Sequence, residues 1–183
     1  MILDIGCGRR KVVAEGDVVI GVDINRGTDA DVIQNLNKFP YPFKDNCFDE
    51  IHCNEILEHV DDVFSVMDEL HRIGKNRAIV KIKVPHFSSV NAYVDPTHKR
   101  SFTSKSFDFI CENEHVLAYY SDRRYLKRRS KIEFWPLKEI QSIKPQEWIG
   151  LGIFANKFSG IYEKFFAFIF PAQSIYFDLE ILK

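Results

Sequence analysis

The sequence predicts an α/β fold: a doubly wound sheet of about seven strands, mostly parallel, with an antiparallel C-terminal edge strand. Three observations predict it. The chain opens on a short apolar strand, Ile2-Leu3-Asp4-Ile5, that runs directly into a glycine turn, Gly6-Cys7-Gly8. Short apolar runs then alternate with an amphipathic helical stretch, the pattern of a parallel sheet with crossover connections. Finally, Ile175 to Leu182 alternates apolar and polar residues, as an antiparallel strand does.

The elements follow in order. Glycines at 6 and 8 let the backbone turn sharply and let a ligand approach it at the carboxyl edge of the sheet. Residues 9–16 leave room for only a turn or two of helix. Val18 to Asp23 is a second apolar run ending in a carboxylate, about 20 residues beyond the first strand, where an acid meets ribose hydroxyls in nucleotide-binding βαβ units. Asp31 to Leu36 is a third candidate strand, after which Pro40 and Pro42 enforce an irregular loop. Cys47 to Asn54 is a fourth. Ile56, Val60, Val63, Met67 and Leu70 then recur at steps of four and three and predict one helical face. Asp61 or Asp62 would cap a start within that helix, and Gly74 would stop it. Ala78 to Pro85 is a fifth strand, and Arg129 to Trp135 a further one before the last.

Composition bounds the function. A chain of 183 residues with 45% hydrophobic and 28% charged residues is one ordinary globular domain. A net charge of −1 gives no global field for nucleic acid or an anionic membrane. Cys7, Cys47, Cys53 and Cys111 form no Cys-x-x-Cys, which removes a zinc knuckle or redox pair. With no secretory leader in the sequence, they suggest a reducing cytoplasm. The longest apolar run, 165–172, is too short to span a bilayer.

Four motifs in order carry a resemblance. Leu3-Asp4-Ile5-Gly6-Cys7-Gly8 resembles the first motif of class I S-adenosylmethionine-dependent methyltransferases, and Gly21-Val22-Asp23-Ile24 their second-strand acid motif. Phe39 to Asp49 is similar to the stretch leading to their fourth strand, and Leu57-Glu58-His59-Val60 to the segment after it in the type 11 branch. The resemblance implies a Rossmann-like fold, a single domain over 1–183, a cofactor-binding half at 1–85 and an acceptor-side half at 86–183. It implies that Gly6, Cys7 and Gly8 lie against the methionine part of S-adenosylmethionine, with Asp4 bonding its amino group directly or through water. Asp23 and Ile24 would meet the ribose, Asn35 and Leu36 the adenine, and Asn54 would close over the methionine end. A dinucleotide fold is the rival. It wants a third glycine where Lys11 stands, and a carboxylate before the turn would repel a pyrophosphate but suits an ammonium and a sulfonium.

Methyl transfer is an in-line displacement in which alignment does most of the work, with a general base helping an alcohol acceptor. His98 is the first candidate base, oriented by Asp95, with His86 the second; base-free positioning, with Asp95 to His98 as a simple Asx turn, is the alternative. A metal held by His86, Asp95 and His98 lacks tight His-x-x-x-His spacing, so no metal is assigned. Relatives with a similar Asp-Pro-Thr-His segment suggest a small-molecule or saccharide acceptor methylated on oxygen.

The basic run at 123–131 would serve an RNA or protein methyltransferase, or be a solvated hairpin beside an edge strand. Phe158, Ile161, Tyr162, Phe165, Phe166 and Ile169 share one side of a helix, packed on the sheet or on a second copy, or forming a lid or shallow membrane contact. The sequence has no helix before its first strand, so loop 86–107 and helix 156–170 are expected to cover the site. A cofactor-binding partner subunit without activity of its own is the alternative from another class.

Overall fold

The computed structural model describes residues 1–112, 124–134 and 145–183. Its seven strands form one sheet in the order β3-β2-β1-β4-β5-β7-β6. They are β1 (Ile2–Ile5), β2 (Val19–Asp23), β3 (Val32–Ile33), β4 (Phe48–Asn54), β5 (Gly74–Pro85), β6 (Arg124–Glu133) and β7 (Ser174–Leu182). The first five are parallel, while β7 runs antiparallel to β5 and β6 antiparallel to β7. The C-terminal strand is therefore antiparallel as expected, but it lies inside the sheet and β6 takes the edge. Pairing shows this directly: β7 meets β5 over Ile79–Pro85 on one side and β6 over Arg124–Glu133 on the other. Strand order departs from β1 in opposite directions toward β2 and β4, which opens a crevice at the carboxyl ends of β1 and β4.

Helix α1 (Val63–Ile73) buries Val66, Met67, Leu70 and Ile73 against the sheet. Asp62 caps it: one oxygen accepts the Phe64 N–H at 2.9 Å and the other the Ser65 hydroxyl at 2.6 Å. The predicted helical face over-reached at its start, because Glu55 holds a left-handed φ of 51° that turns the chain before Ile56. Gly74 follows the helix with φ −74°, so it is no left-handed stop. It is glycine because a Cβ would come within 2.3 Å of Ile181 Cδ1 on β7. The proline loop is held on α1 by Glu69, which accepts the Tyr41 N–H at 2.5 Å and pairs with Arg72, whose guanidinium also reaches the carbonyls of Tyr41 and Phe43.

The described residues also hold the helical segments α2 (Asn91–Val94), α3 (Pro145–Lys157) and α4 (Ser159–Ile161), the last running into a π turn, Tyr162–Phe166, and a 3-10 turn at Asp108–Ile110. No helix joins β1 to β2; the connection is turns. Of the expected aromatic face only Tyr162 turns inward, together with Glu163 and Ala167. Phe158, Ile161, Phe165, Phe166 and Ile169 point outward instead. The basic run becomes β6, where Lys127 meets Asp108 at 2.5 Å, Arg128 meets Glu180 at 2.7 Å and Lys131 meets Glu133 at 3.3 Å. Its first residue, Arg123, and Trp135 of the expected strand lie outside the described residues.

Candidate functional site

The glycine turn sits where β1 meets the crevice. Gly6 and Gly8 both hold left-handed backbone, φ 67° and 55°. A Cβ on Gly6 would strike Ile56 Cγ1 at 2.4 Å, whereas one on Gly8 would meet nothing within 4 Å. Gly6 is thus fixed by packing as well as by φ, whereas at Gly8 the space where a side chain would stand is open. The turn is stitched to β2 by the Gly6 and Cys7 amides, both donating to the Val22 carbonyl at 2.7 and 3.1 Å.

Two carboxylates frame this turn differently. Asp4 is 2% exposed, and its Oδ2 accepts the Val12 N–H at 2.8 Å, so it lies beneath the loop and ties it down. Burial pushes its carboxyl up, against the pull of that hydrogen bond. Asp23 ends β2 with Oδ2 accepting the Gly8 N–H at 3.0 Å and Oδ1 the Asn25 N–H at 2.8 Å. Each oxygen keeps a free lone pair beside the crevice. The Cys7 thiol is buried, and that burial pushes it up to about 11, so it is no nucleophile at neutral pH.

A cleft of about 180 Å³ opens here. Of the predicted cofactor residues it gathers Gly6, Asp23, Ile24, Asn35 and Leu36. To them it adds Gln34, Asn37, Ile56, His59 and Val60, which sequence reasoning did not assign. Asn35 Oδ1 accepts the Asn37 N–H at 2.9 Å, and Asn37 Oδ1 accepts the Asp61 N–H at 2.7 Å, which fastens the loop after β3 to the start of α1. Asp4, Cys7 and Gly8 lie under or beside the cleft. Asn54 is exposed at the end of β4 and is not among the lining residues.

The expected acceptor residues separate into two groups. His86 is fully buried, its Nδ1 2.8 Å from Ser88 Oγ and its Nε2 3.4 Å from Glu163 Oε1. It is therefore a peg between the loop and the π turn, not a base open to an acceptor. Glu163 accepts the Ser104 N–H at 2.6 Å and the Ser104 hydroxyl at 2.9 Å, locking segments 86–107 and 159–172 together at the carboxyl end of β5. Burial opposes its charge, yet the hydrogen bonds from His86 and Ser104 outweigh that and hold its carboxyl below the usual range.

Asp95 does not orient His98. Its Oδ1 accepts both the Thr97 N–H at 2.8 Å and the Thr97 hydroxyl at 2.7 Å, the Asx turn that was the competing reading. Thr97 Oγ1 in turn lies 2.8 Å from His59 Nδ1. His98 Nδ1 lies 3.2 Å from the Ala92 carbonyl, and the His59 and His98 rings pack edge to face at 4.6 Å. The acid facing His98 is Glu58, whose Oε1 is 4.0 Å from Nε2. Glu58 is 1% exposed; burial, with Glu55 and Asp95 nearby, pushes its carboxyl up to about 8. His59 is pushed down by burial and by His98. Sequence reasoning quoted Glu58 and His59 in a motif without giving either a task. Their adjacency to the expected base His98 was the missed signal.

Comparisons with known proteins agree with this geometry. A family model described as "Methyltransferase domain" matches residues 1–133. Among curated proteins none matches the chain in sequence. Among solved structures, a SAM dependent methyltransferase from Archaeoglobus fulgidus is similar with a TM-score of 0.65 and 22% identity, covering 98% of this chain and 85% of that one. A SAM dependent methyltransferase from Aquifex aeolicus gives a TM-score of 0.57 at 16% identity, covering 99% and 81%. The plantazolicin methyltransferase BpumL in complex with SAH gives 0.55 at 13%, covering 100% and 76%.

Proposed function

Since the chain belongs to the methyltransferase-domain family, we propose that it transfers a methyl group from S-adenosylmethionine to an oxygen of a small molecule or saccharide. The carrying observation is the Asp23 carboxylate, which ends β2 on the cleft with one oxygen holding the Gly8 N–H of the glycine turn and the other the Asn25 N–H. An acid there suits vicinal ribose hydroxyls, and the buried Asp4 before the turn suits a cofactor bearing positive charge. The cofactor supplies an electrophilic methyl on a sulfonium; the chain's residues hold it and exclude water. Gly6, Asp23, Ile24, Asn35 and Leu36 contact it in this reading, with Gly8 and Cys7 along its methionine end and Asn54 swinging in from the rim.

Segment 86–107 supports the acceptor side, because it brings Thr97 and His98 against His59 on the cleft wall. His98 stands on this segment, oriented through Nδ1 by the Ala92 carbonyl, with the buried Glu58 4.0 Å from its Nε2. The basic strand favours a small acceptor over RNA, since Lys127, Arg128, Arg129 and Lys131 each face a carboxylate. The outward Phe165, Phe168 and Ile169 are available to an apolar acceptor or a second copy of the chain. Among the described residues no helix is long and apolar enough to cross a membrane.

The test is transfer of labelled methyl from S-adenosylmethionine to a panel of phenols, sugars and short RNAs. Labelled ethers formed only with hydroxyl acceptors support the reading; label on RNA alone contradicts it.

A further inference from the structure

We propose that Glu58, His59 and His98 form a divalent-cation site on the wall of the cofactor cleft, with a coordination position left open for an oxygen of the acceptor. One ligand atom from each residue lies within 4.8 Å of the others. The three residues come from two separate segments, the turn after β4 and the loop after β5, so the fold assembles the cluster and the sequence spacing hides it.

The strongest observation is Glu58. Its side chain is 1% exposed and neither carboxylate oxygen has a hydrogen-bond partner. A buried carboxylate without donors is strongly disfavoured unless a proton or a cation compensates it. A second carboxylate, Glu55, stands close enough to raise that cost. Glu55 is itself held in left-handed backbone and paired with Lys83 Nζ at 3.1 Å.

The imidazoles are prepared for the same task. Thr97 gives its hydroxyl proton to Asp95, so its oxygen accepts from His59 Nδ1–H. The Ala92 carbonyl accepts only, so His98 Nδ1 carries a proton too. Both rings are thereby fixed in the tautomer that leaves Nε2 with its lone pair free, the arrangement by which outer hydrogen bonds orient metal-ligating histidines. Asp95, Thr97 and the Ala92 carbonyl are those outer partners.

One carboxylate and two imidazoles suit Zn²⁺, Mn²⁺, Fe²⁺ or Co²⁺ better than Ca²⁺, and three protein ligands leave room for a further one. His59 also lines the cofactor cleft, so the site borders the space assigned to the methyl donor. The role, though not the site, rests on the methyl-transfer reading. An acceptor hydroxyl bound to the cation loses its proton to water more easily. Its oxygen then forms the new bond to the methyl carbon, while the carbon–sulfur bond breaks and its electron pair stays on sulfur as the neutral thioether. The substrate class is thus a hydroxyl compound that ligates a metal.

The experiment strips the full chain with EDTA and titrates Mn²⁺ by electron paramagnetic resonance and Zn²⁺ by calorimetry, with S-adenosylhomocysteine binding measured separately on the metal-free protein. The expected result is one ion per chain, with affinity falling at least about tenfold in both Glu58→Gln and His98→Ala. Thr97→Ala, which removes only the hydroxyl holding His59, should also fall by about tenfold with its thermal unfolding unchanged within a few degrees. No ion bound by the wild type, or equal binding by all three variants, overturns the site. If S-adenosylhomocysteine binds and the ions do not, only this inference fails; if the ions bind and S-adenosylhomocysteine does not, the methyl-transfer reading fails instead.

Discussion

Replacing Gly6 by alanine should cost the fold more than the same change at Gly8, although both hold left-handed backbone. The conformational penalty is shared: about 1–2 kcal/mol for a side chain at such a φ. At Gly8 little is added, since a Cβ would have nothing within 4 Å. At Gly6 it would stand 2.4, 2.7 and 2.8 Å from three atoms of Ile56. Forcing that side chain aside adds about 1–3 kcal/mol of overpacking, and Ile56 lines the cleft. In a chain of this size each kcal/mol moves the unfolding midpoint by about 2–4 °C. Thermal and urea unfolding should therefore rank wild type above Gly8→Ala above Gly6→Ala, with at least about 2 °C between the two variants. Calorimetry with S-adenosylhomocysteine should show the complementary effect: Gly8→Ala loses at least about tenfold in affinity, roughly 1.4 kcal/mol, while remaining the more stable variant. Equal stability of the two, or full affinity in Gly8→Ala, would refute the reasoning that one glycine serves packing and the other the ligand.

Other outcomes follow from the same geometry. His98→Ala should lower turnover about 10²-fold or more, read by labelled methyl transfer, whereas an unchanged rate would demote it to a loop anchor. The Glu163 carboxyl is held low in the folded chain, so the stability it gives is present above its unfolded value near 4.3 and is lost as pH falls through the lower folded value. Urea unfolding of wild type and Glu163→Gln should accordingly differ at pH 6 and converge as pH drops below about 4; a gap constant with pH would contradict it. Lys127→Met, which takes a close cation from the buried Asp108, should destabilise by more than about 1 kcal/mol, the ceiling expected for Arg129→Ala on its exposed 3.9 Å pair, with chemical denaturation as the check. Asp62→Ala should cost about 1 kcal/mol through the lost cap, measured the same way.

The cofactor half was legible because its chemistry is local. Asp4, Gly6, Gly8 and Asp23 sit at strand ends that apolar runs announce, and a strand end in a parallel sheet has only one edge at which to meet a ligand. The acceptor half was less legible because its contacts are distant. His59 meets Thr97, 38 residues away, and nothing in either local pattern marks the other. Asp95 looked like the partner of His98 because it is near in sequence, yet the Asx turn consumes its oxygen and the Ala92 carbonyl orients the ring instead. The basic stretch read as a solvated hairpin beside an edge strand, where charge discourages aggregation; it is itself the edge strand, paired to β7, and Asp108, Asp178 and Glu180 meet its charges from other positions. Periodicity grouped Phe158, Ile161, Tyr162, Phe165, Phe166 and Ile169 but could not say that their shared side faces outward, with Tyr162 alone of the six buried.

The central claim is that the cleft beside Asp23 binds S-adenosylmethionine. The most direct measurement is calorimetric titration of the wild-type chain and Asp23→Asn with S-adenosylhomocysteine and, separately, with NAD. The account predicts saturable binding of S-adenosylhomocysteine, weakened roughly 10- to 100-fold by the loss of one charged acceptor, and no measurable binding of NAD. Tight NAD binding, or S-adenosylhomocysteine affinity indifferent to the Asp23 change, would contradict it.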